Sequence, residues 1–218
     1  MQRIGRQIDA VVFDIGRVLI DFDFERAFSA ASKMTGIAPG EIRSRLFGVG
    51  DFAGFDRERA VVAFECGRIS EREFHASVEK ALGRPIPFEH FCELWNCIYI
   101  GEIESTVKIM RVLQNRASLR VGVLSNTNAL HMNHLRPRMK CLEDIEHVYC
   151  SHEIGWRKPD PESYLHVLEC MNVRAEHTVF VDDLADNVAA AEALGMIGVH
   201  ATSSTAVRVA LFDLGLLE

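Results

Sequence analysis

Asp14 ends the apolar run Ala10-Val11-Val12-Phe13, and the pair Asp182-Asp183 ends Thr178-Val179-Phe180-Val181. Ser125-Asn126-Thr127 closes Val121-Gly122-Val123-Leu124, and Lys158 stands between Arg157 and Pro159. A carboxylate that closes a buried strand needs a partner. Two adjacent carboxylates repel each other unless a cation lies near. Their oxygens suit Mg²⁺, and an aspartate can also serve as a covalent nucleophile. A serine hydroxyl and the N–H groups of a strand-to-helix turn donate to anions, and a lysine adds fixed positive charge. Singly, each has a plainer reading: Asp14 as a turn residue, Ser125 as a helix N-cap, Lys158 as a solvated surface lysine. Together they form a set that positions and neutralises a phosphoryl group under attack.

The elements that must bring these residues together are short and β-branched. Weaker copies of the same pattern are His147-Val148-Tyr149-Cys150 into Ser151 and Ile197-Gly198-Val199-His200 into Ala201. Continuous apolar runs of this length suit strands buried on both faces. Helical patterns lie between them, at Ser105–Asn115, at Pro161–Met171 with its proline in the first turn, and at Asn187–Leu194 stopping before Gly195. Strand alternating with helix predicts a parallel α/β sheet with helices on both faces. Ligands of such sheets bind beyond the carboxyl ends of the strands, where the polar residues above would gather. From about Phe22 to Glu104 the chain reads as helices only: Phe24–Met34, Gly40–Phe47, Arg57–Cys66, Glu71–Leu82 and Phe88–Ile98. Ser70 and Glu73 make a capping-box signal there.

Phe13-Asp14-Ile15-Gly16-Arg17-Val18-Leu19, Leu124-Ser125-Asn126, Arg157-Lys158-Pro159 and Val181-Asp182-Asp183-Leu184-Ala185-Asp186-Asn187 occur in that order. Together they resemble the four motifs of the haloacid dehalogenase superfamily, over essentially the whole chain. The stretch from Leu124 to His131 with the last two motifs is most similar to the sugar-phosphate phosphatase branch. That branch includes the bacterial α-D-glucose-1-phosphate phosphatases and the phosphatase domain of soluble epoxide hydrolase. The resemblance implies a Rossmann-like three-layer core, residues 1–21 and 105–218, with an inserted all-helical cap, residues 22–104. It implies a Mg²⁺-dependent phosphatase acting through an aspartyl-phosphate, with Asp14 as nucleophile and Lys158 and Ser125 as catalytic partners. Ser125, Asn126 and Lys158 would bind the substrate phosphate. Asp14, the Gly16 carbonyl and Asp183 would hold the metal, with Asp182 as second ligand or outer acid. Asp186 or Asn187 would cap the next helix and orient water.

One position departs from the family pattern. Most of these phosphatases carry a second aspartate two residues after the nucleophile as general acid and base, and here it is Gly16. Such help is typically worth about 10²–10⁴ in rate. A good leaving group, such as an anomeric phosphate, would dispense with it, or Asp21, Asp23 or a cap residue would replace it. The glycine also leaves open a metal-independent haloacid dehalogenase or an inactive phosphate-binding module. Arg17 is a candidate phosphate contact or a surface residue. Phe22, Glu102, Asn128 and His131 are candidates at the cap hinges.

Lys+Arg 24 against Asp+Glu 31 gives a net charge of −7, so no basic footprint for nucleic acid is expected. The N-terminal apolar stretch is too short for a signal sequence and no run approaches a membrane span, so a cytoplasmic protein acting on a small phosphorylated metabolite is expected. The six cysteines fit no zinc spacing, Cys141 and Cys150 with His147 and His152 included, and read as buried free thiols.

Overall fold

The computed structural model describes residues 7–48, 60–143 and 145–218. In chain order, and among the described residues, β1 (Ala10–Phe13) and β2 (Ile20–Phe22) precede the helices α1 (Phe24–Thr35), α2 (Pro39–Phe47), α3 (Ala60–Glu65), α4 (Glu71–Leu82) and α5 (Phe88–Asn96). Then follow β3 (Tyr99–Glu102), α6 (Glu104–Gln114), β4 (Arg120–Ser125), α7 (Ala129–Leu135), β5 (His147–Cys150), α8 (Ser151–Ile154) and α9 (Pro161–Met171). The chain closes with β6 (Thr178–Asp182), α10 (Ala185–Ala193), β7 (Ile197–His200) and α11 (Ser204–Asp213).

Five strands form one parallel sheet in the order β5-β4-β1-β6-β7. The central strand, β1, is fully buried, as an all-apolar run flanked on both sides requires. Its side chains alternate between faces. Val11 and Phe13 join Val107, Met110 and Leu113 of α6 and Val207 and Leu211 of α11, while Ala10 and Val12 join Tyr164 and Val167 of α9 and Ala191 of α10. Three layers result, as the sequence pattern predicts. In register, Phe13 pairs with Val123 on one side and Val181 on the other. The residues that follow β1, β4 and β6 therefore emerge together at one edge.

The helices between β2 and β3 bury a core of their own around Phe28, Ile42, Phe64, Phe74, Val78 and Phe91, joined by Leu130 of α7. α4 spans the expected residues, and Ser70 and Glu73 exchange both capping-box bonds. The expectation of helices alone in this block needs correction. β2 and β3 pair antiparallel at its two borders, Ile20 opposite Glu102 and Phe22 opposite Tyr99. α5 accordingly stops at Asn96 rather than at Ile98. Both strands are short and half exposed, too short for a two-residue alternation to stand out. Residues 57–59 of the expected Arg57–Cys66 helix lie outside the described residues. Among the described residues no helix is long and apolar enough to cross a membrane.

The cysteine expectation holds in part. All six are free, but Cys170 is exposed and Cys92 and Cys97 are only partly covered. Among the described residues, metal-ligating side chains converge only at Asp14, Asp182 and Asp183, so the cysteine–histidine stretch forms no such group.

Candidate active site

Asp14 is the first residue past β1, and its N–H donates to the Val181 carbonyl at 2.8 Å, which extends the ladder by one residue and fixes the carboxylate at the sheet edge. Asp182 ends β6 and Asp183 follows it; Ser125 ends β4. Lys158 arrives from the loop after α8. Its ammonium donates to Asp14 Oδ1 at 2.6 Å and to Asp182 Oδ2 at 2.6 Å. All three are buried: Lys158 is 2% exposed, Asp182 0% and Asp14 7%. A lysine this deep would lose its charge without such partners.

Two asparagines fix this arrangement. The Asn126 side chain accepts from the Lys158 N–H at 2.8 Å and donates to the Lys158 carbonyl at 2.8 Å, so it clamps the lysine's backbone. The Asn187 amide donates to both Asp182 oxygens, at 3.0 and 3.1 Å, and the Leu184 N–H donates to Asp182 Oδ1 at 2.8 Å. The Tyr164 hydroxyl donates to the Asn187 carbonyl at 2.9 Å. Each Asp182 oxygen is thus already engaged by protein donors. Asp186, a candidate helix cap, is exposed within the first turn of α10, and that helix has no side-chain cap. The sequence reading of Asp186 is corrected accordingly: Leu184 holds the cap position, and Asn187 serves the site rather than the helix end.

Electrostatics follow from burial and crowding. Burial pushes the Asp14 carboxyl up; Lys158 opposes this, Asp182 and Asp183 add to it, and the result is about 7. Burial also raises Asp183, with Asp182 adding to it. For Lys158, burial pulls downward but the two carboxylates outweigh it, so the ammonium is held above its ordinary value. One lysine against three acids leaves a deficit of positive charge. Oxygens of Asp14, Asp182 and Asp183 lie within 4.8 Å of one another. This is the hard-oxygen donor set that a Mg²⁺ ion takes.

Gly16 explains its own departure from the family pattern. A Cβ built there would lie 2.8 Å from Cε1 of Phe22, and 3.7 Å from Asp14 Oδ2. The Phe22 ring occupies the space into which an acid at this position would project. Arg17 next to it adopts a left-handed backbone, φ 55°, and its guanidinium lies 5.1 Å from the Phe22 ring.

Three of the other candidates, Asp23, Glu102 and Asn128, make bonds within the fold. Asp23 accepts from the Glu25 N–H at 2.9 Å and caps α1. Asp21 is exposed on β2. Glu102 Oε1 accepts from the Cys141 N–H at 2.7 Å, tying β3 to the core. Asn128 caps α7 by accepting from the His131 N–H at 3.1 Å.

The site opens into a cavity of about 330 Å³ between the sheet edge and the helical insertion. Asp14, Gly16, Arg17, Ser125, Asn126 and Lys158 lie at its base with Asp183 and Asn187, and His131 and Phe22 line it higher up. Asp21, Asp23, Glu102 and Asn128 are not among the residues lining it. Sequence reasoning missed Glu65, Trp95 and Tyr99, which line it from the insertion, and gave Arg157 no role. Arg157 Nη2 lies 3.2 Å from Glu65 Oε2, a link between insertion and core. Burial raises the Glu65 carboxyl, and Arg157 opposes that rise. Only the adjacency of Arg157 to Lys158 could have signalled this pair, since nothing in the expected Arg57–Cys66 helix sets Glu65 apart from its other charged residues.

Residues 8–195 match the family described as haloacid dehalogenase-like hydrolase. The chain is 29% identical over 194 residues to a D-ribitol-5-phosphate phosphatase of Bacteroides thetaiotaomicron, covering 86% of this chain and 89% of that one. It is 38% identical over 94 residues to a sesquiterpene phosphatase of Aspergillus oryzae, covering 43% and 48% of the two chains. A crystal structure of a haloacid dehalogenase family enzyme from Bacteroides thetaiotaomicron, in complex with magnesium and inorganic phosphate, is similar with a TM-score of 0.74. The identity is 26%, over 87% of this chain and 92% of that one.

Proposed function

Because the chain belongs to the haloacid dehalogenase-like hydrolases, we propose that it is a Mg²⁺-dependent phosphatase that cleaves a small phosphate monoester through an aspartyl-phosphate on Asp14. The observation that carries this is the buried Lys158 bridging Asp14 and Asp182 at the base of the cavity, beside Asp183. Asp14 attacks phosphorus and the ester oxygen leaves; water then releases the phosphate from Asp14. Lys158 keeps Asp14 ionised and aimed, and adds positive charge beside the phosphoryl oxygens. The Ser125 hydroxyl and the Asn126 N–H donate to those oxygens. Asp14, Asp183 and the Gly16 carbonyl hold Mg²⁺, while Asp182, its oxygens engaged, acts from outside as the anchor of Lys158 and Asn187. When bound, the cation supplies charge neutralisation and orientation of the phosphate. Residues 22–104 act as a cap that closes over the substrate and excludes water.

With Phe22 where an acid would stand, the leaving oxygen departs without a carboxylic acid from that position. The named relatives act on a sugar-alcohol phosphate and on a sesquiterpene phosphate, so what they share is the phosphate end.

The test is phosphate release from a panel of monoesters that includes p-nitrophenyl phosphate, with Mg²⁺ and with Mg²⁺ chelated. Release should require the metal. Asp14→Asn should lower kcat by at least about 10³ while the protein stays folded, comparable to losing a nucleophile elsewhere. Turnover retained by that variant would remove Asp14 from its role. Chloride released from 2-chloropropionate without Mg²⁺, in place of phosphate, would favour dehalogenation instead.

A further inference from the structure

Above the phosphate-handling base, most of the cavity wall is apolar, with Glu65, Tyr99, His131 and Arg157 among its polar members. Phe22, Phe24, Phe47, Val61, Trp95 and Ile98 face it from the insertion side, and Met132 and Leu135 of α7 complete it. The rings pack on one another: Phe22 and Phe24 edge to face at 5.2 Å, Phe24 and Phe47 at 6.0 Å. Trp95 stacks on His131 at 5.4 Å and 4° between planes, and Tyr99 meets the same imidazole edge to face at 5.1 Å. The wall is preformed, with little left to order when a ligand arrives.

The polar side chains on this wall are largely engaged inside the protein. His131 Nδ1 is bonded to Asn96 Oδ1 at 3.0 Å, and burial holds its imidazole far below the ordinary range, so it faces the cavity as an uncharged ring. Glu65 and Arg157 are matched to each other. Asn126 spends both ends of its amide on Lys158. Among the described residues Trp95 Nε1 and Glu65 Oε2 have no hydrogen-bond partner, one donor and one acceptor against the several hydroxyls of a polyol. A polyol enclosed here would bring a hydroxyl on nearly every carbon to ring faces and aliphatic side chains. A buried hydroxyl left without a partner is strongly disfavoured.

We infer that the substrate is the monophosphate of an apolar alcohol, with a compact aliphatic, isoprenoid or aryl body, rather than a sugar or sugar-alcohol phosphate. The inference rests on the phosphatase reading above and adds what lies beyond the phosphate. It turns the absent acid into part of the design: the ring at Phe22 that excludes an acid at Gly16 is also a piece of the wall. A volume of about 330 Å³ is at the small end of ligand sites, roughly 300–1,000 Å³. That limits the body to a compact one.

The test is kcat/KM at fixed Mg²⁺ for the n-alkyl monophosphates from ethyl to octyl, for geranyl monophosphate, and for ribitol 5-phosphate and glucose 1-phosphate. The alkyl series should rise by about two- to fourfold per methylene until the cavity fills, the factor that apolar burial supports. Geranyl monophosphate should exceed both polyol esters at least tenfold. A flat alkyl series with either polyol ester preferred tenfold would overturn the inference and leave the phosphatase reading standing. No phosphate from any ester, p-nitrophenyl phosphate included, would overturn both. Val61→Thr, nearly isosteric and outside the catalytic set, should lower kcat/KM for octyl and geranyl monophosphate severalfold more than for ethyl monophosphate, whose body is too short to fill the wall. An equal loss across the series would mean that Val61 does not read the length of an apolar body, and would count against the inference.

Discussion

At the scale of single residues the site is a charge balance held by geometry. Lys158 satisfies two carboxylates, Asn187 braces one of them, Asp182, and Asn126 fixes the lysine's backbone. Gly16 illustrates how a neighbour decides what a position can hold. Restoring an acid there by Gly16→Asp should lower stability and leave kcat unimproved, because the new Cβ meets Phe22 at 2.8 Å. Pairing it with Phe22→Ala should recover stability relative to the single variant; thermal melts of the three proteins read the coupling. The carboxylates and the hydroxyl at strand ends were legible in the sequence, since strand ends and polar residues coincide there, and Lys158 in its loop was legible from its place between Arg157 and Pro159. The supporting partners were less so. That Asn126 would turn its side chain back onto Lys158, 32 positions away, depends on how two loops meet, and nothing in either loop's local pattern encodes it.

Among elements, the strands of the sheet and the helices covering it were readable from apolar runs and their punctuation. The β2–β3 pair was not, because each strand is half exposed and takes its hydrogen bonds from the other, 80 residues distant in register between Asp21 and Gly101. The ion pair between α3 and the loop carrying Lys158 was equally hidden. It is an element-level tie: Glu65 ends a helix of the insertion and Arg157 belongs to the core. Glu65→Gln should cost about 3 kcal/mol, since a largely buried guanidinium then loses the carboxylate at 3.2 Å. Glu65→Leu with Arg157→Met should recover most of that loss in denaturant unfolding. If the double variant is no better than the single, the two residues do not act as a pair.

For the whole molecule, the sign of charge at the site couples stability, pH and metal. The Asp14 carboxyl, about 7 folded against an ordinary 3.8, binds its proton more tightly in the folded state. Its contribution to stability is therefore complete below about pH 4 and is lost as pH rises through about 7. His131 works the other way: its pKa is pushed down to about 3 by burial, so its contribution is full above the ordinary 6.5 and fades as pH falls toward 3. Comparing melts with and without Mg²⁺ cancels the His131 effect and leaves the two raised acids proposed to hold the metal, Asp14 and Asp183. The Tm gained from Mg²⁺ should be small near about pH 5.5, where the proton competes, and larger near about pH 8. A gain independent of pH would mean that the metal meets neither Asp14 nor Asp183. The pairing of Ile20 with Glu102 has a consequence at this same scale. The chain leaves the core and returns to it through adjacent strands, so everything between forms a closed excursion whose two ends touch. Such an excursion can be shortened, lengthened or exchanged without moving one residue of the parallel sheet. Evolution, or an engineer splicing at β2 and β3, can therefore change which molecule is admitted while the catalytic acids and lysine stay where they are.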